Sequence, residues 1–273
     1  MSRPASPGDA LLDEVVADPS GTLLALDFDG TLAHVVDDPT TAFAQAHAVD
    51  ALARLGPLIG QIAIITGRPV RQALELGGFA DRTGLATLII SGQYGAERWD
   101  ASTGETHEPE PPPEVRRVAD RLPGWLAEHG VDHVRVEDKG LAVAVHTRGL
   151  EEGLLDGLAG PLAELAAEHD LSVEPGRQVI ELRSHGTDKG VVLERLVEEV
   201  GARHVVFAGD DLGDLPAFDA VDRLRTRGLS GLLICSASDE QDALVARSDL
   251  VLDGPDAVAV WLEGLAEVLE AGS

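Results

Sequence analysis

The sequence contains a single cysteine, Cys235, so no disulfide can close within its 273 residues and nothing points to an oxidising compartment. Positive charge is scarce: 21 Lys and Arg stand against 48 Asp and Glu, for a formal charge of -27 and a pI near 4.5. Such a chain repels phosphate backbones and anionic lipid, which argues against nucleic acid or a membrane as partner. No apolar run approaches the length of a membrane span. Residues 1–20 carry Asp9, Asp13, Glu14 and Asp18 and lack the basic start and apolar stretch of a secretion signal, so a cytoplasmic location is expected. Internal repeats are missing, and the only low-complexity tract is the proline-rich stretch at 108–113. What remains is an ordinary globular composition, 44% hydrophobic and 25% charged, long enough for one large domain or two unequal ones. The acidity makes one demand. An anionic substrate enters only where a metal ion and a few Lys or Arg reverse the local sign.

Short apolar runs alternate with helical patterns from residue 23 to 91: a strand ending at Asp27, a helix through Ala48, Leu52 and Leu55, a strand at 62–66, and a further step closing at 88–91. Strands apolar at nearly every position belong to a parallel sheet covered on both faces. The pattern returns at 204–208, 231–235 and 250–252. Together these pieces predict an α/β fold with a doubly wound, mostly parallel sheet, divided into parts 1–107 and 185–273. Between them, residues 108–184 read as a helix at 114–129, strands at 134–137 and 141–146, a helix at 151–169, and strands at 171–174 and 179–183. That order predicts an inserted α+β cap domain, a small antiparallel sheet covered on one face. Pro123 is expected to kink or split the first cap helix.

Chemistry concentrates at four places. In DFDGT, Asp27 and Asp29 stand two residues apart at a strand end and reach the crevice where open α/β sheets bind ligands. Asp27 can attack phosphorus. Asp29 is placed to protonate a leaving oxygen and then activate water. Gly30 turns the chain, and backbone N–H groups there can hold phosphate oxygens. The same short turn also suits plain helix capping. In ITGR, the Thr66 hydroxyl and the Gly67 N–H can bond a phosphate oxygen, though a Thr-Gly strand end is more often turn chemistry. Lys189, in TDKG, is either a solvated surface charge or a counter-charge for Asp27 and phosphate. In GDDLGD, Asp210, Asp211 and Asp214 gather negative charge that calls for a hard cation, and Mg2+ suits carboxylates plus a substrate phosphate. Asp211 or Asp214 can cap the next helix as well.

Taken in order, DFDGT, ITGR, Lys189 and GDDLGD resemble the four motifs of the haloacid dehalogenase (HAD) superfamily, over almost the whole chain. The resemblance implies a HAD-like Rossmannoid core with Asp27 as nucleophile, Asp29 as general acid and base, and Thr66 and Lys189 as phosphate contacts. It implies Mg2+ held by Asp27, the backbone carbonyl of Asp29, and Asp210, with Asp211 or Asp214 in support. Gly30, Thr31, Gly67 and Arg68 fall on the substrate side of those motifs. Within the superfamily the chain is similar to the trehalose-6-phosphate phosphatases, through DFDGTL leading to Asp37, Asp38 and Pro39, the stretch SGQYGAE, VEDKG followed by HTR, VIELR, and Ala217-Phe218 after the fourth motif. This implies a phosphatase of trehalose biosynthesis that acts on a small-molecule sugar phosphate, with Glu137, Lys139 and Glu181 on the sugar hydroxyls. A monomer is the expected state, though no motif bears on it. Glu137 and Lys139 also suit a charged hairpin turn.

The chain departs from that family in GDDLGD, where Gly213, Leu215 and Pro216 interrupt a more acidic run, and after the third strand, where Gln93 and Tyr94 replace Asn and His. Two other readings stay open. One is a phosphatase for sucrose phosphate, mannosyl-3-phosphoglycerate or a hexose phosphate; the other is a silent binding partner of a glycosyl synthase.

Overall fold

A computed structural model describes residues 7–80, 82–147, 149–151, 153–176, 178–184, 188–237 and 242–272. Thr187 of TDKG and Arg148 of HTR lie outside the described residues. The chain divides into two compact units, Met1–His107 with Asp188–Ser273, and Glu108–Thr187.

The first unit opens with α1 (Pro7–Ala17), β1 (Thr22–Leu26), α2 (Ala46–Leu55), β2 (Gln61–Ile65), α3 (Val70–Gly77), β3 (Ile89–Gly92), β4 (Glu97–Asp100) and β5 (Glu105–His107). The second unit holds α4 (Pro113–Glu128), β6 (Arg135–Asp138), β7 (Ala142–His146), α5 (Leu154–Glu168), β8 (Leu171–Gly176) and β9 (Val179–Ser184). The chain then completes the first unit with α6 (Lys189–Val200), β10 (His204–Gly209), α7 (Leu215–Thr226), β11 (Ser230–Ser236), α8 (Asp242–Val245), β12 (Leu250–Leu252) and α9 (Gly254–Gly272).

The large sheet has the order β12-β11-β10-β1-β2-β3-β4-β5, parallel except for the edge pairs β3–β4 and β4–β5. Every residue of β1 and β2 is buried, as a sheet covered on both faces requires. Alternate residues serve opposite cores. Leu24, Leu26, Ile62, Ile64, Val206 and Ala208 pack with α2, α3 and α9, while Leu23, Ala25, Ala63, Ile65, Val205 and Phe207 pack with α6 and α7. Cys235 lies in the second core, where burial pushes its thiol up to about 11. The chain winds outward from β1 in both directions, so the carboxyl ends of β1 and β10 flank the switch point of the sheet, where such folds bind ligands.

In the second unit β6-β7-β9-β8 form an antiparallel sheet. Val143, Val145, Ile180 and Leu182 pack against Val115, Val118, Leu122 and Trp125 of α4 and Leu158, Leu162 and Leu165 of α5. Strand alternation puts Glu137, Ala144, Glu181 and Glu174, which are register partners, on the opposite face. Pro123 does not split α4: the helix runs unbroken for 16 residues. Proline costs the bond to the carbonyl four residues back, and because Pro123 lies on the exposed side of α4, away from Leu122 and Trp125, water can serve that carbonyl. The edge strands β4 and β5 were not foreseen; their sequences, ERWD and ETH, are polar and carry none of the apolar run that marked the inner strands. Among the described residues no helix is long and apolar enough to cross a membrane.

Candidate active site

Parallel register brings the carboxyl ends of β1, β2 and β10 level, and each strand is followed at once by a polar residue: Asp27, Thr66 and Asp210. The Asp27 N–H donates to the Ala208 carbonyl at 2.9 Å, which holds the start of DFDGT beside the strand leading into GDDLGD. Glycines permit the close approach. Gly30 has φ 76°, and a Cβ there would stand 1.9 Å from an Asp210 carboxylate oxygen. At Gly209 a Cβ would stand 2.4 Å from Asp214 Cγ, and at Gly190 it would meet the Pro216 carbonyl at 2.2 Å. The Gly190 contact lets the first turn of α6 approach the first turn of α7, which directly follows GDDLGD.

Lys189, at the first position of α6, is buried; its Nζ donates to Asp27 Oδ1 at 2.6 Å and Asp214 Oδ1 at 2.7 Å. Asp188 caps the helix through the Val191 N–H at 2.8 Å. Asp214 is wholly buried, and its Oδ2 accepts from the N–H groups of Asp210 and Asp211. Asp211 and Asp214 form a reciprocal capping box around a short 3-10 turn, so the capping role joins the charge cluster.

One ammonium thus serves a crowd of carboxylates. Burial lifts Asp27 well above the usual carboxylate range, Lys189 pulls it partly back, and Asp214, Asp211 and Asp29 add repulsion. Asp210 is raised by burial and by Asp211 and Asp27. Asp211 is raised to about 6, burial first and Asp214 second. Burial alone would lower Lys189, but the carboxylates of Asp214 and Asp27 outweigh it and hold its proton firmly. The cluster is short of positive charge. Asp27, Asp210 and Asp214 each offer an oxygen within 4.8 Å of the other two, and Asp210 Oδ1 is buried without a hydrogen-bond partner among the described residues. An all-oxygen set with excess negative charge and an orphaned oxygen fits a hard divalent cation. The carboxylates of Asp29 and Asp211 stand outside that group.

Asp29 is held by Arg68, whose Nε and Nη2 donate to its two oxygens at 2.7 and 2.6 Å while Nη1 donates to the Pro39 carbonyl at 2.9 Å. The Arg68 side chain is buried, with its guanidinium 5.5 Å from the Phe28 ring centre. Its fork is therefore engaged by Asp29. Thr66 is buried, its hydroxyl accepting from the Arg68 N–H at 3.1 Å, with Gly67 beside it. Thr31 is buried, and its Oγ1 has no hydrogen-bond partner among the described residues.

The second unit carries a separate polar group. Lys139 pairs with Glu181, Glu137 accepts from His146 at 2.9 Å, and Glu181 Oε2 is buried without a hydrogen-bond partner among the described residues. The hydrogen bond from His146 is the main cause that draws Glu137 down to about 2.

One residue near the first site went unnoticed in the sequence. The buried Ser236 hydroxyl donates to the Gly30 carbonyl at 2.6 Å and pins the DFDGT turn. Its signal was available, since it ends a parallel strand as Asp27, Thr66 and Asp210 follow theirs.

Known proteins resemble this chain throughout. Its fold is shared with the C-terminal domain of the trehalose-6-phosphate phosphatase of C. albicans, at TM-score 0.78 and 22% identity over 97% of this chain and 98% of that one. A haloacid dehalogenase-like hydrolase from Bacteroides thetaiotaomicron matches at TM-score 0.61 and 17% identity, over 89% of this chain and 99% of that one. The trehalose-phosphate phosphatase of Mycobacterium avium (strain 104) is 34% identical over 90% of this chain, and that of Mycobacterium bovis is 32% identical over 89%. The match spans only 62% and 61% of those two relatives' own lengths. The family model described as trehalose-phosphatase covers residues 25–249. By that match, over a HAD-type fold, the chain belongs to the trehalose-phosphatase family.

Proposed function

We propose that this chain hydrolyses trehalose 6-phosphate to trehalose and phosphate in the cytoplasm, with Mg2+ as cofactor and Asp27 as nucleophile. The observation that carries the reading is the convergence of Asp27, Lys189, Asp210 and Asp214 at the ends of β1 and β10. An Asp27 oxygen attacks phosphorus in line, and the bond from phosphorus to the sugar oxygen breaks as Asp29 gives that oxygen its proton. Water then attacks phosphorus, Asp29 takes the water's proton, and the bond to Asp27 breaks to release phosphate. In both steps Lys189 faces the developing charge with a fixed ammonium. Backbone N–H groups of Thr31 and Gly67, with the Thr66 hydroxyl, hold phosphate oxygens; the Gly30 N–H, expected to join them, is taken by the Ala33 carbonyl at 2.7 Å. Asp29 accepts one bond from Arg68 on each oxygen, which leaves a further lone pair on each to take up the proton. Asp27, the Asp29 carbonyl and Asp210 would hold the metal, with Asp211 and Asp214 in support; when bound it screens the phosphate charge as a Lewis acid. Glu137, Lys139 and Glu181 are assigned to the sugar hydroxyls, which suit carboxylate acceptors and an ammonium donor.

Phosphate release from a panel of sugar phosphates, with and without Mg2+, tests this. The expected result is a strong preference for trehalose 6-phosphate that disappears on chelation and in Asp27→Asn. Preference for another sugar phosphate rejects the substrate, and turnover by Asp27→Asn at the parent rate rejects the mechanism.

A further inference from the structure

The turn after β3 holds three consecutive residues in the left-handed region: Gln93 at φ 45°, Tyr94 at φ 56° and Gly95 at φ 92°. Glycine adopts this freely, but side-chain-bearing residues rarely do, and two in succession occur only where surrounding bonds impose them. Those bonds are present. The Gln93 N–H donates to the Arg68 carbonyl and the Tyr94 N–H to the Thr66 carbonyl, both at 2.9 Å. Gln93 Nε2 donates at 2.5 Å to Oε1 of the buried Glu97, whose Oε2 accepts from the first N–H of α3, that of Val70, at 2.6 Å. Gly95 presses on α6, where a Cβ would stand 2.0 Å from Val192 Cγ2.

The strained turn delivers the chain's one tyrosine among three of the four motifs. Lys189 Nζ lies 6.0 Å from the Tyr94 ring centre. A Cβ on Gly67 would stand 2.8 Å from the Tyr94 hydroxyl oxygen, and one on Gly213 3.9 Å from its Cε1. A turn with no task for its side chain would carry Gly or Asn here.

We infer that Tyr94 is a positioning residue of this site: its ring holds the Lys189 ammonium toward Asp27, and its backbone N–H fixes the Thr66–Gly67 end of β2. The inference rests on the phosphatase reading. A ring face attracts a desolvated ammonium and restricts where it can sit. Lys189 then meets the incoming phosphate already oriented.

The test uses the full chain with lysine labelled at Cε and Nζ. The sequence has two lysines, Lys139 and Lys189, and Lys139→Met leaves the Lys189 signal alone. Tyr94→Asn removes the ring while suiting the left-handed backbone, so it is expected to fold; Tyr94→Phe keeps the ring. The Lys189 resonances of the parent should show a ring-current shift that survives in Tyr94→Phe and is lost in Tyr94→Asn. Inorganic phosphate, titrated with Mg2+ present, should bind about tenfold more weakly to Tyr94→Asn and within about twofold of the parent in Tyr94→Phe. An unchanged Lys189 shift and phosphate affinity in Tyr94→Asn overturns the inference, as does a Tyr94→Phe loss as large as that of Tyr94→Asn. A chain with Lys139 and Tyr94 both in place that neither binds phosphate nor releases it from sugar phosphates rejects the phosphatase reading instead, and the Lys189 shift still decides the ring contact.

Discussion

Replacing Lys189 with Met probes the charge network directly. Nζ bonds Asp27 at 2.6 Å and Asp214 at 2.7 Å, and the three side chains are 4%, 6% and 0% exposed. Removing one partner of a buried ion pair leaves charge uncompensated, at a cost of about 3–5 kcal/mol. For a unit of this size that lowers Tm by roughly 10 °C. The natural control is the Arg54–Glu270 pair, which has the same 2.7 Å separation but side chains 38% and 44% exposed. Distance alone predicts equal losses from Lys189→Met and Arg54→Gln. Burial predicts a large loss from the first and almost none from the second, because water screens exposed pairs. Thermal unfolding in chelator, in a Trp125→Phe background that leaves Trp99 and Trp261 of the first unit as fluorophores, reads the difference. A Lys189→Met midpoint within 2 or 3 °C of the parent, on the order of 1 kcal/mol, would refute the claim that these carboxylates are buried and depend on this ammonium.

Asp210→Asn should raise Tm in chelator, since it removes a buried carboxylate with an unpartnered oxygen, and should abolish the Mg2+-dependent rise in Tm; a variant that still gains as much from Mg2+ as the parent rejects Asp210 as a ligand. Gly30→Ala forces a side-chain-bearing residue to φ 76° and a methyl to 1.9 Å from Asp210, costing at least about 1–3 kcal/mol for the backbone alone. Its turnover should be nearly lost, and normal activity and Tm would contradict the geometry of the turn. Glu137 should titrate by NMR at about 2 in the parent and move up toward the ordinary value in His146→Ala. A carboxyl with a depressed folded pKa adds stability above its unfolded pKa, near 4.3, and that stability is lost as pH falls toward 2. Acid unfolding of Glu137→Gln should therefore be flatter between about pH 4.5 and 2, and a slope equal to the parent's counts against the His146 bond.

The inner strands and the HAD motifs were legible in one dimension because a strand buried on both faces must be apolar throughout, and because chemistry in this fold sits at strand ends. Asp27, Thr66 and Asp210 each follow such a run directly. The edge strands β4 and β5 were not legible: β5 is exposed throughout, and β4, though it buries Glu97 and Trp99, places a polar residue among its buried positions. The split expected at Pro123 did not occur, for a related reason. Its effect depends on which side of the helix it occupies, and sequence reports the residue without the side.

The sequence by itself determined which residue types were on hand, the order of the four motifs, and a charge balance that calls for a cation beside any phosphate. Tertiary structure alone decided how they are shared: Lys189 between Asp27 and Asp214, which lie 162 and 25 residues away from it, Arg68 on Asp29, Ser236 on the Gly30 carbonyl, and Tyr94 against Lys189. Hydrogen bonds and ion pairs form between groups a few ångströms apart in space, and separation along a chain carries no record of which long-range partner burial will bring within that reach.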